Sequence, residues 1–244
     1  MKKIFSLNFV NKEQLLLDKY VKSKKIPLIT KKDKGMREAD IKKLINSGND
    51  LDAKAILDIV SPTGDFDVFI SHYHENEDVA LKIAATLRTQ GFKPFVDSQY
   101  WLHFDAIADQ LNELHLHKDK ENGSDLYDHS KTKMIQKHCD VLLLSALSQV
   151  MSKCKYLIFI SPPEKMLGIQ CYSNYKTKKP KTYSPWIYWE LIFAELLVKD
   201  RENLTEGLKH STFDSIPKIS YPLSTKEMKK ISMTDIINNK WHEK

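Results

Sequence analysis

Glu190 stands in a stretch, SPWIYWELIFAELL (184–197), that otherwise reads as a well-marked apolar helix. Ser184 suits the N-cap, and Pro185 suits the first helical position, where its missing N–H costs nothing. At about 100° per residue, Trp186, Phe193, Ala194 and Leu197 share one face, Glu190 falls in the middle of it, and Tyr188, Glu195 and Lys199 lie opposite. A carboxylate on a core-facing stripe loses its hydration and is kept only where something compensates. Two kinds of chemistry fit: a structural pair with a Lys, Arg or backbone donor, or a carboxylate that stabilises charge at a reacting centre.

The other reactive side chains are less organised. Seven of the nine His lie between positions 72 and 138, including His72-x-His74 and His115-x-His117, yet no matching ligand set faces them, so no metal is expected. Cys139, Cys154 and Cys171 are odd in number and share no C-x-x-C spacing, which points to reduced thiols and a cytoplasmic protein. Neither G-x-G-x-x-G nor a Walker sequence is present, and Gly occurs only 7 times, so no dinucleotide is held in the Rossmann manner. The basic run YKTKKPKTY (175–183) could attract phosphates or serve as a solvated loop.

Composition bounds the rest. The 244 residues, 41% hydrophobic, can bury one substantial core with an appendage. A formal charge of +6 is mild and spread over short Lys runs, which gives nucleic-acid binding little support. No apolar run approaches the ~20 residues that cross a bilayer. The start, MKKIFSLNFVNKEQ, has too short an apolar run, broken by Asn8, for a secretory signal.

The elements that must position Glu190 follow from hydrophobic patterning. Residues 1–62 are Lys-rich, with amphipathic pieces READIKKLINS and DLDAKAILDIV, and close on the turn SPTGD; they are expected to form a small helical N-terminal extension. A domain is expected over 63–224, with a polar insert at about 117–130, and a helical tail over 225–244. Within the domain FDVFIS (66–71), FKPFVD (92–97) and KYLIFIS (155–161) read as strands, with PKISYPL (217–223) a weaker fourth. Val79, Ala80, Ile83, Ala84 and Leu87 recur at helical spacing, and Gly91 stands where a C-terminal cap belongs. Residues 107–116 and 134–151 read as further helices. Alternating strands and helices predict an α/β fold with a parallel, flavodoxin-like sheet. Pro94 puts the second strand at an edge, and the switch point then falls between FDVFIS and KYLIFIS.

Taken in order, FDVFISHYHENEDVALKIAATLRTQGFKPFVD, KYLIFISP and SPWIYWEL resemble the Toll/interleukin-1 receptor (TIR) domain over residues 65–197, particularly its bacterial NAD-consuming members in anti-phage, Thoeris-like defence. The resemblance implies a TIR-type sheet and, with a Glu four residues after the Trp of the S-x-W-x-x-x-E-L helix, a catalytic Glu190. The implied reaction cleaves the nicotinamide–ribose bond of NAD as substrate, giving ADP-ribose or a cyclic or conjugated signal. It also implies substrate contacts at Phe69, Ser71, His72 and Trp186, although Ser71 could be a simple strand-end cap. The loop DSQYWLHFD (97–105) corresponds to one that shapes the site and joins neighbouring domains, and it lacks the Gly or Pro usual there. In it Trp101 could stack on an adenine or simply pack, and Asp97 could assist the ribose or cap a turn. Implied partners are NAD, further copies of the chain on activation, and a downstream effector that senses the product. The rival readings are a non-enzymatic TIR assembly module and a nucleoside-processing hydrolase on a similar sheet.

Overall fold

The computed structural model describes residues 1, 3–8, 11–27, 52–62, 64–98, 108–109, 111–112, 129–161, 181–182, 184–199, 221–222 and 228–244. The chain divides into two compact units, one of residues 1–28, 65–96 and 151–244, the other of residues 29–64 and 97–150.

The first unit is built on a sheet of five strands, β1 (Lys3–Asn8), β2 (Val68–His72), β3 (Pro94–Val96), β4 (Tyr156–Ser161) and β7 (Met228–Ile231), in the order β3-β2-β4-β1-β7. Every pairing in it is parallel. A separate antiparallel pair joins β5 (Lys181–Thr182) to β6 (Tyr221–Pro222). The expected α/β class holds, and so does the half of the order read from sequence: β3 with Pro94 takes one outer position, and β2 and β4 are neighbours. The central strands carry Val68, Phe69, Ile70, Leu157, Ile158 and Ile160, all buried, because a parallel sheet is covered on both faces.

The ends of the chain differ from expectation. Residues 3–8, assigned above to a helical extension, form β1, which lies between β4 and β7 with Ile4, Phe5 and Leu7 buried. Helix α1 (Asn11–Ser23) follows it and belongs to the same unit. The expected helical tail likewise contains β7 before its helix α6 (Met233–Ile237). PKISYPL supplies β6, which pairs with β5 outside the main sheet. The reason is register: β4 is flanked by β2 on one side and exposes a full ladder on the other, which β1 satisfies over all six residues from Lys3↔Tyr156 to Asn8↔Ser161.

Helix α3 (Glu77–Thr89) returns from β2 to β3 and buries Val79, Ala80, Ile83, Ala84 and Leu87, the expected stripe. It stops at Gly91, whose φ of +89° is a left-handed conformation that glycine adopts freely, and Phe92 N–H closes the turn onto Leu87 O at 3.1 Å. Lys82 on α3 bridges Asp18 of α1 at 2.7 Å and Asp78 at 2.6 Å. Burial lowers the pKa of Lys82, but the bonds and charges of the two carboxylates outweigh it and hold the net pKa above its ordinary value. After α6, a short 3₁₀ turn (Trp241–Glu243) sets the fully buried Trp241 against Phe5, Phe92 and Tyr156, at ring-centroid distances of 5.4, 5.0 and 5.2 Å.

The second unit contains α2 (Ala53–Val60), capped by the Asp52 carboxylate accepting from Lys54 N–H at 3.0 Å, and most of α4 (His129–Lys153). Along α4, Cys139, Leu143, Ala146, Leu147 and Val150 form a buried helical stripe. The residues 117–130 expected to be an insert are described only from 129 onward, and the amphipathic piece READIKKLINS lies outside the described residues.

Candidate functional site

Helix α5 (Pro185–Lys199) carries Glu190. Ser184 begins it as expected: its Oγ accepts from Ile187 N–H at 3.3 Å and its carbonyl from Tyr188 N–H at 3.2 Å. The buried positions are Ile187, Glu190, Leu191 and Ala194, an i, i+3, i+4, i+7 stripe. Trp186, Phe193 and Leu197, expected on that face, are only partly buried, so the stripe is rotated toward Ile187 and Leu191. Trp189 and Phe193 instead stack on each other one turn apart, centroids 5.1 Å and planes 9° apart. Glu190 remains on the buried face, 1% exposed.

α5 packs against β1 and β2, the two strands that flank β4. At their carboxyl ends Ser6, Phe159 and Ser71 occupy one row of the sheet, in register across β1, β4 and β2. Ser71, fully buried, donates its hydroxyl to Glu190 Oε2 at 2.6 Å. That length is at the short end of the range for O–H···O hydrogen bonds. The two residues come from the two separate motifs, and nothing in either motif's spacing dictates the contact.

The other expected site residues divide. Phe69 is on the same face of β2 as Ser71, two residues deeper, fully buried and stacked on Phe95 at 5.3 Å; it is part of the floor beneath Ser71. His72 is buried, but strand alternation sends its side chain to the face of the sheet opposite Ser71, away from Glu190. Trp186 stands one turn before Glu190 on α5, partly exposed. Asp97, the residue after β3, is buried and its Oδ1 accepts from Ser98 N–H at 2.8 Å, which is the turn-capping alternative. Trp101, like the rest of the loop from 99 to 105, lies outside the described residues. So do Cys171 and the basic run at 175–180; Cys139 and Cys154 are both buried. Burial, reinforced by the charge of Asp67, pushes the Cys154 thiol up to about 12.

Two features went unread in the sequence. Ser6 shares the row of Ser71, which could be seen only once β1 was known to be a strand. Asn76, in the turn between β2 and α3, is buried, and its side-chain amide nitrogen has no hydrogen-bond partner among the described residues. Its place before the apolar stripe of α3 marks it as a helix-start residue, yet no side-chain cap bond forms there. Among the described residues no group of three or more His, Cys, Asp or Glu is arranged to hold a metal ion, and no helix is long and apolar enough to cross a membrane.

Compared with protein-family models, curated proteins and solved structures, the chain matches none of them.

Proposed function

We propose that this chain is a TIR-type NAD glycohydrolase or ADP-ribosyl cyclase acting in the cytoplasm, with Glu190 as its catalytic carboxylate. The observation that supports the reading is the buried Ser71–Glu190 hydrogen bond, which joins the end of a central parallel strand to the S-x-W-x-x-x-E-L helix. The carboxyl ends of strands beside a switch point are where α/β sheets bind ligands, and β2 and β4 meet there.

The chemistry asked of the site is modest. When the bond between the ribose carbon and the nicotinamide nitrogen breaks, the bonding pair leaves with nicotinamide, which departs neutral, and positive charge develops on the ribose. A carboxylate held in a dry setting stabilises that charge or fixes the ribose hydroxyls. No strong general acid is needed. Water then attacks the ribose carbon and releases a proton, giving ADP-ribose, nicotinamide and H⁺; attack by a nucleophile within the substrate gives a cyclic product instead.

By the same resemblance, the role is anti-phage defence: activity rises on infection, as copies of the chain associate, and the product is passed to a downstream effector. The deciding experiment incubates pure protein with NAD, with and without lysate from phage-infected cells, and identifies products by mass. Nicotinamide release that is lost in Glu190→Gln supports the reading. No release from protein that has been driven to associate leaves the non-enzymatic assembly module as the surviving alternative.

A further inference from the structure

We propose that Ser71 is a positioning residue for Glu190 and makes no contact with substrate, an assignment that rests on the glycohydrolase reading above. A serine hydroxyl has one proton to donate. That of Ser71 is aimed at Glu190 Oε2 at 2.6 Å, and the serine is fully buried. With the proton so used, the hydroxyl has no donor left for a ribose oxygen or a phosphate.

The rest of β2 explains why a serine is there. The strand reads Val68, Phe69, Ile70, Ser71, His72, so Ser71 ends an apolar run at a position that is fully buried. A buried hydroxyl without a partner is costly, and an apolar residue of similar size would fill the position without that penalty. Glu190 supplies the partner.

The two side chains also differ in stiffness. Ser71 has one side-chain torsion on a strand held in parallel register on both sides, to Phe159 of β4 and, through Ile70, to Val96 of β3. Glu190 has three torsions, and freezing a side chain of that length is entropically expensive. The rigid partner therefore orients the flexible one. What Ser71 contributes to turnover is the direction in which the carboxylate faces when charge develops on the ribose, and misplacement of a reacting group on the scale of 1 Å costs about 10²-fold in rate.

The test compares full-length wild type, Ser71→Ala and Ser71→Thr on NAD, with kcat and KM measured separately and folding followed by thermal unfolding. Ser71→Ala is expected to lower kcat by about 10²-fold while KM stays within about twofold. Ser71→Thr keeps the hydroxyl on a side chain suited to a strand and is expected to recover most of kcat. If Ser71→Ala does not fold, Ser71→Cys, of similar shape but a weak donor, takes its place in the comparison. A raised KM with unchanged kcat would make Ser71 a substrate contact and overturn the proposal, and so would unimpaired turnover. An active wild type with an unimpaired Ser71→Ala sinks this role alone, whereas a wild type that releases no nicotinamide even when driven to associate sinks the glycohydrolase reading and this role with it.

Discussion

The indole of Trp241 meets the ring of Phe5 edge-on, centroids 5.4 Å apart and planes at 80°, so a residue of the 3₁₀ turn after α6 is packed against a strand near the middle of the sheet. Both side chains are fully buried, and Lys3 adds a bond from its ammonium to the His242 carbonyl at 3.0 Å. Trp241→Ala is expected to destabilise the fold by about 3–5 kcal/mol, as for other large aromatic truncations in cores. Paired with Phe5→Ala in a double-mutant cycle, the losses should be less than additive, because each change removes part of the same contact. Denaturant unfolding of the four proteins measures this, and strict additivity would mean that the two rings do not share their stabilisation.

Glu190→Gln keeps an oxygen for the Ser71 hydroxyl and removes the charge. It should leave the unfolding midpoint nearly unchanged and reduce nicotinamide release by at least about 10²-fold. Glu190→Ala leaves the Ser71 hydroxyl dry and unbonded, which adds a stability loss of about 1–3 kcal/mol. Full activity in a folded Glu190→Ala protein would remove Glu190 from the reaction.

If the loop 97–105 of one copy completes the site of its neighbour, as the TIR resemblance implies for a loop that shapes the site and joins domains, the rate depends on protein concentration. Specific activity should climb as mass measurements show association, and Asp97→Lys or Trp101→Ala should depress both together. A strict monomer with a concentration-independent rate, indifferent to Trp101→Ala, would end the idea.

Alkaline stability should report Cys154. Its thiol is pushed from 9.0 to about 12 in the folded chain, by burial first and then by Asp67. Below 9.0 the thiol is protonated in both folded and unfolded states, so it adds no slope. Between 9.0 and about 12 only the unfolded state ionises, and stability falls by up to about 1.4 kcal/mol per pH unit from this group. Cys154→Ala should remove that part of the slope, as read from unfolding midpoints across the alkaline range.

Acid stability should report Asp235. Its carboxylate accepts from Ser232 N–H and Oγ, each at 2.7 Å, and from Lys244 at 2.6 Å. Burial raises its pKa, but these partners outweigh burial and hold it below the usual 3.8. The stabilisation is therefore present above 3.8 and is lost as pH falls through the lowered folded value. Asp235→Asn should flatten the acid limb of the stability curve. Ser232→Ala, which breaks the capping box, should cost about 1 kcal/mol near neutrality.

How much of this was legible in sequence depended on how far each signal reaches along the chain. β2, β4 and α3 announced themselves because Val68–Phe69–Ile70, Leu157 to Ile160 and the Val79-to-Leu87 stripe are continuous local patterns. β1 was obscured by its Lys-rich surroundings, and β7 by consisting of Met-Lys-Lys-Ile with both lysines exposed. α5 is apolar nearly all round, so a helical wheel could not say which arc of it is buried, and Ile187 and Leu191 took the place expected for Phe193 and Leu197. Glu190 stood out as a charge on that helix, but its partner is 119 residues away, and periodicity within an element carries no information about pairing between elements.

The outer strands of the sheet bear on how copies of this chain could meet. β3 is three residues long and begins with Pro94, which has no N–H to offer, and β7 presents Lys229 and Lys230 to solvent. Short edges, proline and exposed lysine are the devices by which a sheet resists extension by a foreign strand. Strand addition between molecules, the route to fibres and to continuous intermolecular sheets, is thus disfavoured at both flanks. Contacts between copies that leave these two edges alone can be made and unmade without opening the ladder that holds β2, and with it Ser71, in place.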